Sequence, residues 1–304
     1  MTQLDIILPT EPVRAHPAVR HVGITDLADA LQKGWHDFLA MPTHYAFLCA
    51  IYPLAGILLF AATSAYDLFA LIYPLAAGFA LIGPIAALGL YEVSRRREMG
   101  LDASPRHAFD FISSPSLGAI VALSLVLLVL FAVWIAVAQS IYTAYFGYLP
   151  ITSVSSFLHD VLTTPQGRQM ILVGNAVGFL FALLAASISV ISFPLLLDRH
   201  VGLLAAVATS LRVVLKNPIA MAMWFLFVAL ALLIGSLPML VGLAIVLPVL
   251  GHATWHLYRK AIVPDPGQRP RYHLHHLSGR HYVADFPASL FVRFPGKEDR
   301  SSGA

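Results

Sequence analysis

The chain has 304 residues, of which 58% are hydrophobic and only 12% charged, with a formal net charge of +3. A soluble domain carries roughly 25% charged residues because its surface must face water, so this composition excludes a water-soluble globule. The single cysteine, Cys49, excludes a fold held together by internal disulfides. We therefore predict an integral membrane protein, and we attribute the slight basic excess to membrane topology rather than to nucleic-acid binding.

Stretches without a charged residue predict six membrane-spanning helices in an all-α fold. A helix needs about 20 apolar residues to cross the hydrocarbon layer. The stretch between Lys216 and Arg259 is long enough for two such helices, with a turn at residues 235–238. The stretch between Asp110 and Asp160 holds one helix followed by an aromatic outer loop. The predicted spans are about 44–63, 68–91, 116–140, 170–197, 218–235 and 237–258.

Two polar arms flank this membrane domain, which we assign to residues 24–262. Residues 1–23 are predicted to be a disordered N-terminal arm, and residues 263–304 a mostly disordered, basic, histidine-rich tail. With six spans, all of the 19 basic residues except Arg168 lie on one side of the membrane. Because lysine and arginine are retained on the cytoplasmic side, both termini are predicted to be cytoplasmic.

The six spans are predicted to form three parallel hairpin repeats, each preceded by a short amphipathic helix in the membrane interface. The second and third of these helices are predicted at Arg106–Ile112 and Leu203–Val214, each followed by a capping residue and a proline. Each even-numbered span carries a proline near its cytoplasmic end, namely Pro84, Pro194 or Pro248. In the first amphipathic helix, the predicted apolar side comprises Leu27, Leu31, Trp35, Phe38 and Leu39, and the polar side Asp29, Lys33, His36 and Asp37.

Three motifs lie at the ends of the even-numbered spans. They are GPIAALGLYEVSRRREMG (Gly83–Gly100), FPLLLDRHVG (Phe193–Gly202) and LPVLGHATWHLYRK (Leu247–Lys260). In that order they resemble a family of predicted bacterial integral membrane proteins that is classed as a domain of unknown function. The resemblance covers about residues 24–262 and implies a multi-pass protein of the inner membrane of Gram-negative bacteria. It supplies no activity, cofactor or catalytic residue.

Histidines provide the candidate metal ligands. His252 and His256 are four residues apart, so both imidazoles project from one face of the last span and can offer two ligands to a metal ion or a haem. Alternatively, the pair anchors the helix end among lipid headgroups and bonds a carboxylate. No resident cofactor is predicted, and a metal or haem site stays the alternative. The tail carries further histidines that can bind metal weakly or titrate near pH 6, namely His273, His275, His276 and His281.

A polar cluster is predicted at the cytoplasmic ends of the spans. Its members are Glu92, Arg96, Asp198 and Arg199, with Glu92 and Arg96 spaced for an ion pair within one helix. The cluster is interpreted either as charge-compensated helix ends or as a proton or cation site. Basic residues of the same region are predicted to contact anionic lipid headgroups, namely Arg95, Arg96, Arg97, Arg259 and Lys260.

The sequence contains no nucleophile elbow, phosphate loop or zinc-protease signature, and its arms are too short for an enzyme domain. We therefore predict a non-enzymatic scaffold or accessory subunit of a membrane complex, in contact with anionic lipid headgroups and a membrane-protein partner but not with nucleic acid. Proline-kinked helices and ionisable groups at the span ends leave a carrier or channel for a small solute or lipid as the alternative. A metal- or haem-binding membrane protein is the second alternative.

Overall fold

The computed structural model describes residues 17–40, 71–79, 83–147, 153–238 and 240–264. The first predicted span and the histidines of the tail lie outside the described residues. Within the described ranges all regular elements are helical, and one isolated antiparallel bridge joins Val19 to Ile262. The helices are α1 (Ile24–Ala40), α2 (Ile72–Phe79), α3 (Gly83–Ala86), α4 (Leu88–Glu98), a 3₁₀ helix (Pro105–Ser113), α5 (Leu117–Phe146), α6 (Val154–Thr163), α7 (Pro165–Ser189), α8 (Ser192–Asp198), α9 (Leu203–Lys216), α10 (Pro218–Ser236) and α11 (Leu243–Ala261).

Three segments are long and apolar enough to cross a membrane, by length and composition. They are α5, the combined α7 and α8 from Pro165 to Asp198, and α10. At about 1.5 Å per residue, each reaches across most or all of a hydrocarbon layer of about 30 Å. The third, fourth and fifth predicted spans are therefore confirmed as long apolar helices.

The second and sixth predicted spans differ from this pattern. The described part of the second span is divided among α2, α3 and α4, with a turn at Ala87. α11 begins only at Leu243, because the preceding turn includes Leu240 with a φ of 65°. Its C-terminal half carries the polar residues His252 and His256, and α11 is not among the described helices that are apolar enough to span.

The outer loop predicted after residue 140 contains more helix than the sequence indicated. α5 continues to Phe146 and ends at Gly147, whose φ of 72° favours glycine. The new helix α6 is then capped by Ser153, whose Oγ accepts a hydrogen bond from the Ser156 backbone N–H at 3.1 Å. Tyr142, expected in the loop, lies in α5 with its ring centroid 6.1 Å from that of Phe157 in α6. Aromatic contacts thus extend both helices into the predicted loop.

The three predicted amphipathic segments are all helical, as α1, the 3₁₀ helix and α9. The side chain of the predicted cap Asn217 makes no capping hydrogen bond to the helix that follows it. Its Oδ1 instead accepts a hydrogen bond from the Val22 backbone N–H at 2.8 Å, and its Nδ2 donates to the Arg20 carbonyl at 3.2 Å. In the chain before α1, the Arg20 backbone N–H also donates a hydrogen bond to the Ala261 carbonyl of α11 at 2.7 Å. Asn217 therefore joins the chain before α1 to the start of α10.

α1 packs along α11, and this contact corrects the predicted faces of α1. Gly34 lies so close to α11 that a Cβ built on it would be 2.6 Å from the Ala253 backbone nitrogen. Asp37, predicted on the polar side, is buried, whereas Trp35 is 44% and Leu39 49% exposed. Asp37 is buried because the helix crossing is close and because α4 and α11 supply hydrogen-bonding partners for its carboxylate.

The apolar core surrounds α8, whose seven residues are all buried. Phe193, Leu195 and Leu196 have no exposed surface, and they belong to one cluster with Trp224 of α10 and Trp255 of α11. α8 also contacts α4, α5, α7 and α9. It therefore joins the long apolar helices to α4, which carries charged residues.

We expect Gly34→Ala to destabilise the protein although alanine is the better helix former. Alanine gains about 1 kcal/mol in helix propensity, but its Cβ would overlap the backbone of α11, and such overpacking typically costs about 1–3 kcal/mol. The matched control is Gly174→Ala, because no atom lies within 4 Å of a Cβ at Gly174. The midpoint of thermal unfolding is measured for both variants on the purified full chain in detergent. A G34A midpoint at or above that of G174A would contradict the crossing.

Candidate functional site

Ionisable side chains meet where the ends of α1, α4, α8 and α11 come together, a region that we call the polar end. Its centre is Asp37 of α1, whose Oδ2 accepts a hydrogen bond from Ser94 Oγ at 2.6 Å and lies 2.9 Å from His256 Nε2. Arg97 approaches from the same helix as Ser94, with Nε 3.4 Å from Asp37 Oδ1. One carboxylate therefore connects three helices.

The predicted histidine pair does project from one face of α11, but the two rings have different partners. His252 is fully buried, with Nδ1 2.7 Å from Ser94 Oγ, while His256 contacts Asp37. This arrangement agrees with the alternative in which the pair bonds a carboxylate. Among the described residues, no group of three His, Cys, Asp or Glu side chains is arranged to hold a metal ion. The metal or haem site at these two histidines stays a prediction.

The environment of Asp37 favours its ionised form. Burial by itself raises the pKa of this carboxyl, but the hydrogen bonds from His256 and Ser94 and the charge of His256 outweigh burial and hold the pKa below its ordinary value. The folded protein therefore stabilises the carboxylate over the carboxylic acid.

Glu92 is buried and pairs most closely with Arg95, in addition to the predicted Arg96. Its carboxylate receives two hydrogen bonds from Arg95, both at 2.9 Å, whereas Arg96 Nη1 lies 3.9 Å away. Arg96 also contacts Asp110 of the 3₁₀ helix at 2.8 Å. Asp110 competes successfully for Arg96 because the 3₁₀ helix packs against α4. The buried pair is thus Glu92 with Arg95.

Asp198 ends α8 and is held by α11 rather than by its neighbour in sequence. Its Oδ2 accepts a hydrogen bond from Tyr258 Oη at 2.6 Å and lies 3.3 Å from Arg259 Nη1 and 3.8 Å from Arg199 Nε. Arg199 donates to the Val263 carbonyl at 2.6 Å. Asp198 is thus bonded mainly by α11, whereas the arginines that bond Glu92 are on its own helix.

The five basic residues predicted to contact lipid headgroups differ widely in exposure. The side chain of Arg95 is 1% exposed and that of Arg96 13%, so the lipid-contact prediction is not supported for Arg95 and receives little support for Arg96. Arg97 is 43% exposed, Lys260 34% and Arg259 17%. These last three remain at the surface of the polar end.

A cleft of about 360 Å³ opens between α1, α4 and α11. Four basic side chains line it, together with the carboxylates of Asp37 and Glu98, the Ser94 hydroxyl and the His256 imidazole. The basic residues are Lys33, Arg97, Arg259 and Lys260. Its volume falls in the range of about 300–1,000 Å³ that is usual for small-molecule sites.

Sequence analysis did not predict a site role for Lys33, Asp37, Ser94 or Glu98. One signal was present, because Ala30 and Gly34 are small residues four positions apart on α1, beside Asp37. Such spacing marks a face where two helices approach closely, especially in membranes. A carboxylate next to that face is placed between helices, although its partners on α4 and α11 cannot be identified from sequence spacing.

We expect Asp37→Asn to destabilise the protein at neutral pH by about 1–3 kcal/mol, since hydrogen bonds to a charged group are lost. Because the pKa of Asp37 is lowered by folding, its ionised form stabilises the fold above the unfolded pKa of about 3.9. That contribution is lost as the pH falls through the folded pKa. Thermal unfolding should therefore show a gap between wild type and D37N that is present at pH 7 and closes below about pH 4.

The control for this experiment is Asp160→Asn, which alters an exposed carboxylate of α6. It should leave the midpoint unchanged at both pH values. A D37N gap of equal size at pH 7 and pH 3 would show that the ionisation of Asp37 does not contribute to stability.

Comparison with known proteins supports the resemblance found in the sequence. The model of a family described as "Predicted integral membrane protein (DUF2189)" matches residues 72–198. This match includes the motif of α4 and the second motif as far as Asp198, while the motif of α11 lies beyond it. No curated protein and no solved structure matches the chain. Residues 72–198 therefore have the sequence pattern of this family, and the chain that contains them is an integral membrane protein.

Proposed function

We propose that the chain is a six-span inner-membrane protein, built as three parallel hairpin repeats, that acts as a non-enzymatic scaffold or accessory subunit of a membrane complex. The polar end and both termini are assigned to the cytoplasm. In this proposal the polar end fixes the helices relative to one another, and the surface around it carries a membrane-protein partner and anionic lipid headgroups.

The convergence of α4, α8 and α11 supports the topology. These helices end the three even-numbered spans, and Arg259 of α11 contacts both Glu98 of α4, at 2.8 Å, and Asp198 of α8, at 3.3 Å. Parallel repeats bring corresponding ends to the same side of the membrane. The basic residues gathered there agree with a cytoplasmic location.

The scaffold proposal rests on ion pairs whose carboxylates are already bound by arginine and which adjoin a mainly apolar interior. The carboxylates of Glu92 and Asp198 are each bound by arginine, and the adjoining core of the described helices consists of buried side chains such as Phe193, Leu196 and Trp224. A carrier needs a polar path that continues between its spans. Among the described residues the interior next to the polar end is mainly apolar, and its buried hydroxyls at Ser192, Thr209 and Ser210 donate to backbone carbonyls, which favours a structural role.

Exposed apolar side chains on the amphipathic helices support their predicted position in the membrane interface. Leu204 and Leu215 of α9 are 82% and 78% exposed, and Phe109 and Ile112 of the 3₁₀ helix 59% and 54%. Water would disfavour such exposure, whereas the boundary between headgroups and acyl chains accepts it. These helices would then hold the polar end at the membrane surface.

The topology predicts opposite labelling of two exposed serines. In a Cys49→Ser background, Ser155→Cys on α6 should react with a membrane-impermeant maleimide in cells whose inner membrane is intact. Ser113→Cys, in the 3₁₀ helix, should react only after the inner membrane is permeabilised. Labelling of both before permeabilisation, or the reverse pattern, would contradict the proposed orientation.

The scaffold proposal predicts a stoichiometric membrane partner. A photoreactive amino acid at exposed Leu215 should cross-link one membrane protein in cells, and the same protein should co-purify with the unmodified chain in mild detergent. Placing the photoreactive group at Leu183, an exposed position in the middle of α7, provides a control for random lipid-phase encounters. A monodisperse chain that lacks a partner and moves a solute across liposome membranes would favour the carrier instead.

A further inference from the structure

We propose that the cleft between α1, α4 and α11 is a binding site for a phosphate group, held by Arg97 of α4 and Lys33 of α1 with Lys260 of α11. Such a ligand would bind at the polar end whether or not the chain acts as a scaffold. It rests on the geometry of the basic side chains, on the distribution of the neighbouring carboxylates, and on the direction in which the cleft opens.

Among the four basic side chains that line the cleft, Arg97 has the longest contacts with the protein. Among the described residues its recorded polar contacts are both with Asp37, one to the carboxylate and one to the backbone carbonyl, and both are 3.4 Å long. A guanidinium carries five N–H donors in a planar fork that matches two oxygens of a phosphate. Its side chain is 43% exposed and lines the cleft, so these donors are accessible to a ligand.

The Asp37 carboxylate engages Arg97 only through a long contact to Oδ1, because its closer partners bond Oδ2. Ser94 and His256 hold Oδ2 at 2.6 and 2.9 Å, which is shorter than the approach of Arg97 to Oδ1. Glu98, the second carboxylate of the cleft, is engaged in the same way by Arg259 at 2.8 Å and by Trp255 Nε1 at 3.1 Å. Both acidic groups of the lining are therefore bound by donors other than Arg97.

Two ammonium groups of the cleft lining lie close together. Asp29 Oδ2 is 2.9 Å from the Nζ atoms of both Lys33 and Lys260, so the two nitrogens are separated by no more than twice that distance. Asp26 adds a second carboxylate, 3.4 Å from Lys260. Lys33 is half exposed, and each ammonium has three donors, so both can also bond a phosphate oxygen.

The cleft opens on the side of α1 that faces away from its exposed apolar residues. Lys33 and Asp37 are each two positions from Trp35, which corresponds to about 200° around a helix with 3.6 residues per turn. Trp35 and Leu39 therefore lie opposite the cleft. If the apolar edge contacts lipid, the cleft is reached from the aqueous side at the headgroup level. A soluble phosphate compound and a phospholipid headgroup share the chemistry that this site recognises.

The test uses the full chain, purified in a phosphate-free maltoside detergent at constant ionic strength. In the first arm, inorganic phosphate is titrated and binding is followed by ³¹P NMR. In the second arm, the chain is reconstituted in vesicles of phosphatidylcholine and phosphatidylglycerol, and the lipid that remains bound is identified by native mass spectrometry. We expect saturable binding in at least one arm, and the responding arm identifies the source of the phosphate group.

Arg97→Gln and Lys33→Gln should each weaken that binding about tenfold, since each removes a hydrogen bond between charged groups. The control Arg212→Gln removes an exposed positive charge from α9, outside the cleft, and should leave binding unchanged. The thermal midpoint is measured for every variant, and K33Q carries the test if R97Q unfolds. Absence of binding in both arms, or an equal loss in R212Q, would overturn the proposal.

Discussion

The contact between Asp37 and its partners on α4 and α11 is the interaction on which the arrangement of the polar end depends. Close approach of α1 to α11 at Gly34 brings the carboxylate into the protein, where an isolated charge would be strongly disfavoured. Ser94 and His256 make that position acceptable by bonding the same oxygen. The packing of the two helices and the satisfaction of the charge therefore require each other.

The same constraint explains the other ionic groups of the polar end. A buried ion pair contributes little net stability, but removing one partner leaves an uncompensated charge and is strongly destabilising. Glu92 and Arg95 are both buried in α4, and Asp198 is held between α8 and α11. The contacts that fix how α4, α8 and α11 meet are those of Arg259, which bonds Glu98 of α4 as well as Asp198 of α8, whereas the Glu92–Arg95 pair lies within α4.

Features that depend on neighbouring residues in sequence were predicted well. Apolar runs identified α5 and α10, and periodic apolar positions identified α1 and α9. Features that depend on tertiary contacts were not predicted. The burial of Asp37 follows from the small residues of α1 facing α11. Glu92 lies closer to Arg95 than to Arg96 because Arg96 also bonds Asp110 on another element. The candidate site shares this limitation, since its basic and histidine residues on α4 and α11 were predicted, whereas Ser94, Glu98 and the residues on α1 were not.

In a lipid bilayer, the contacts that select one packing of the helices differ from those of a protein in water. Outward-facing residues of α5 and α10, such as Leu125 and Leu233, are more than half exposed, and lipid tails are as favourable a neighbour for leucine as another helix. Burying those side chains against another helix therefore does not favour one helix packing over another. One packing is instead selected by the close backbone contact at Gly34 and by the directional bonds that Asp37 and Asp198 make to other helices. The charged residues are few, but because they are collected at one end they determine the register of the helices there.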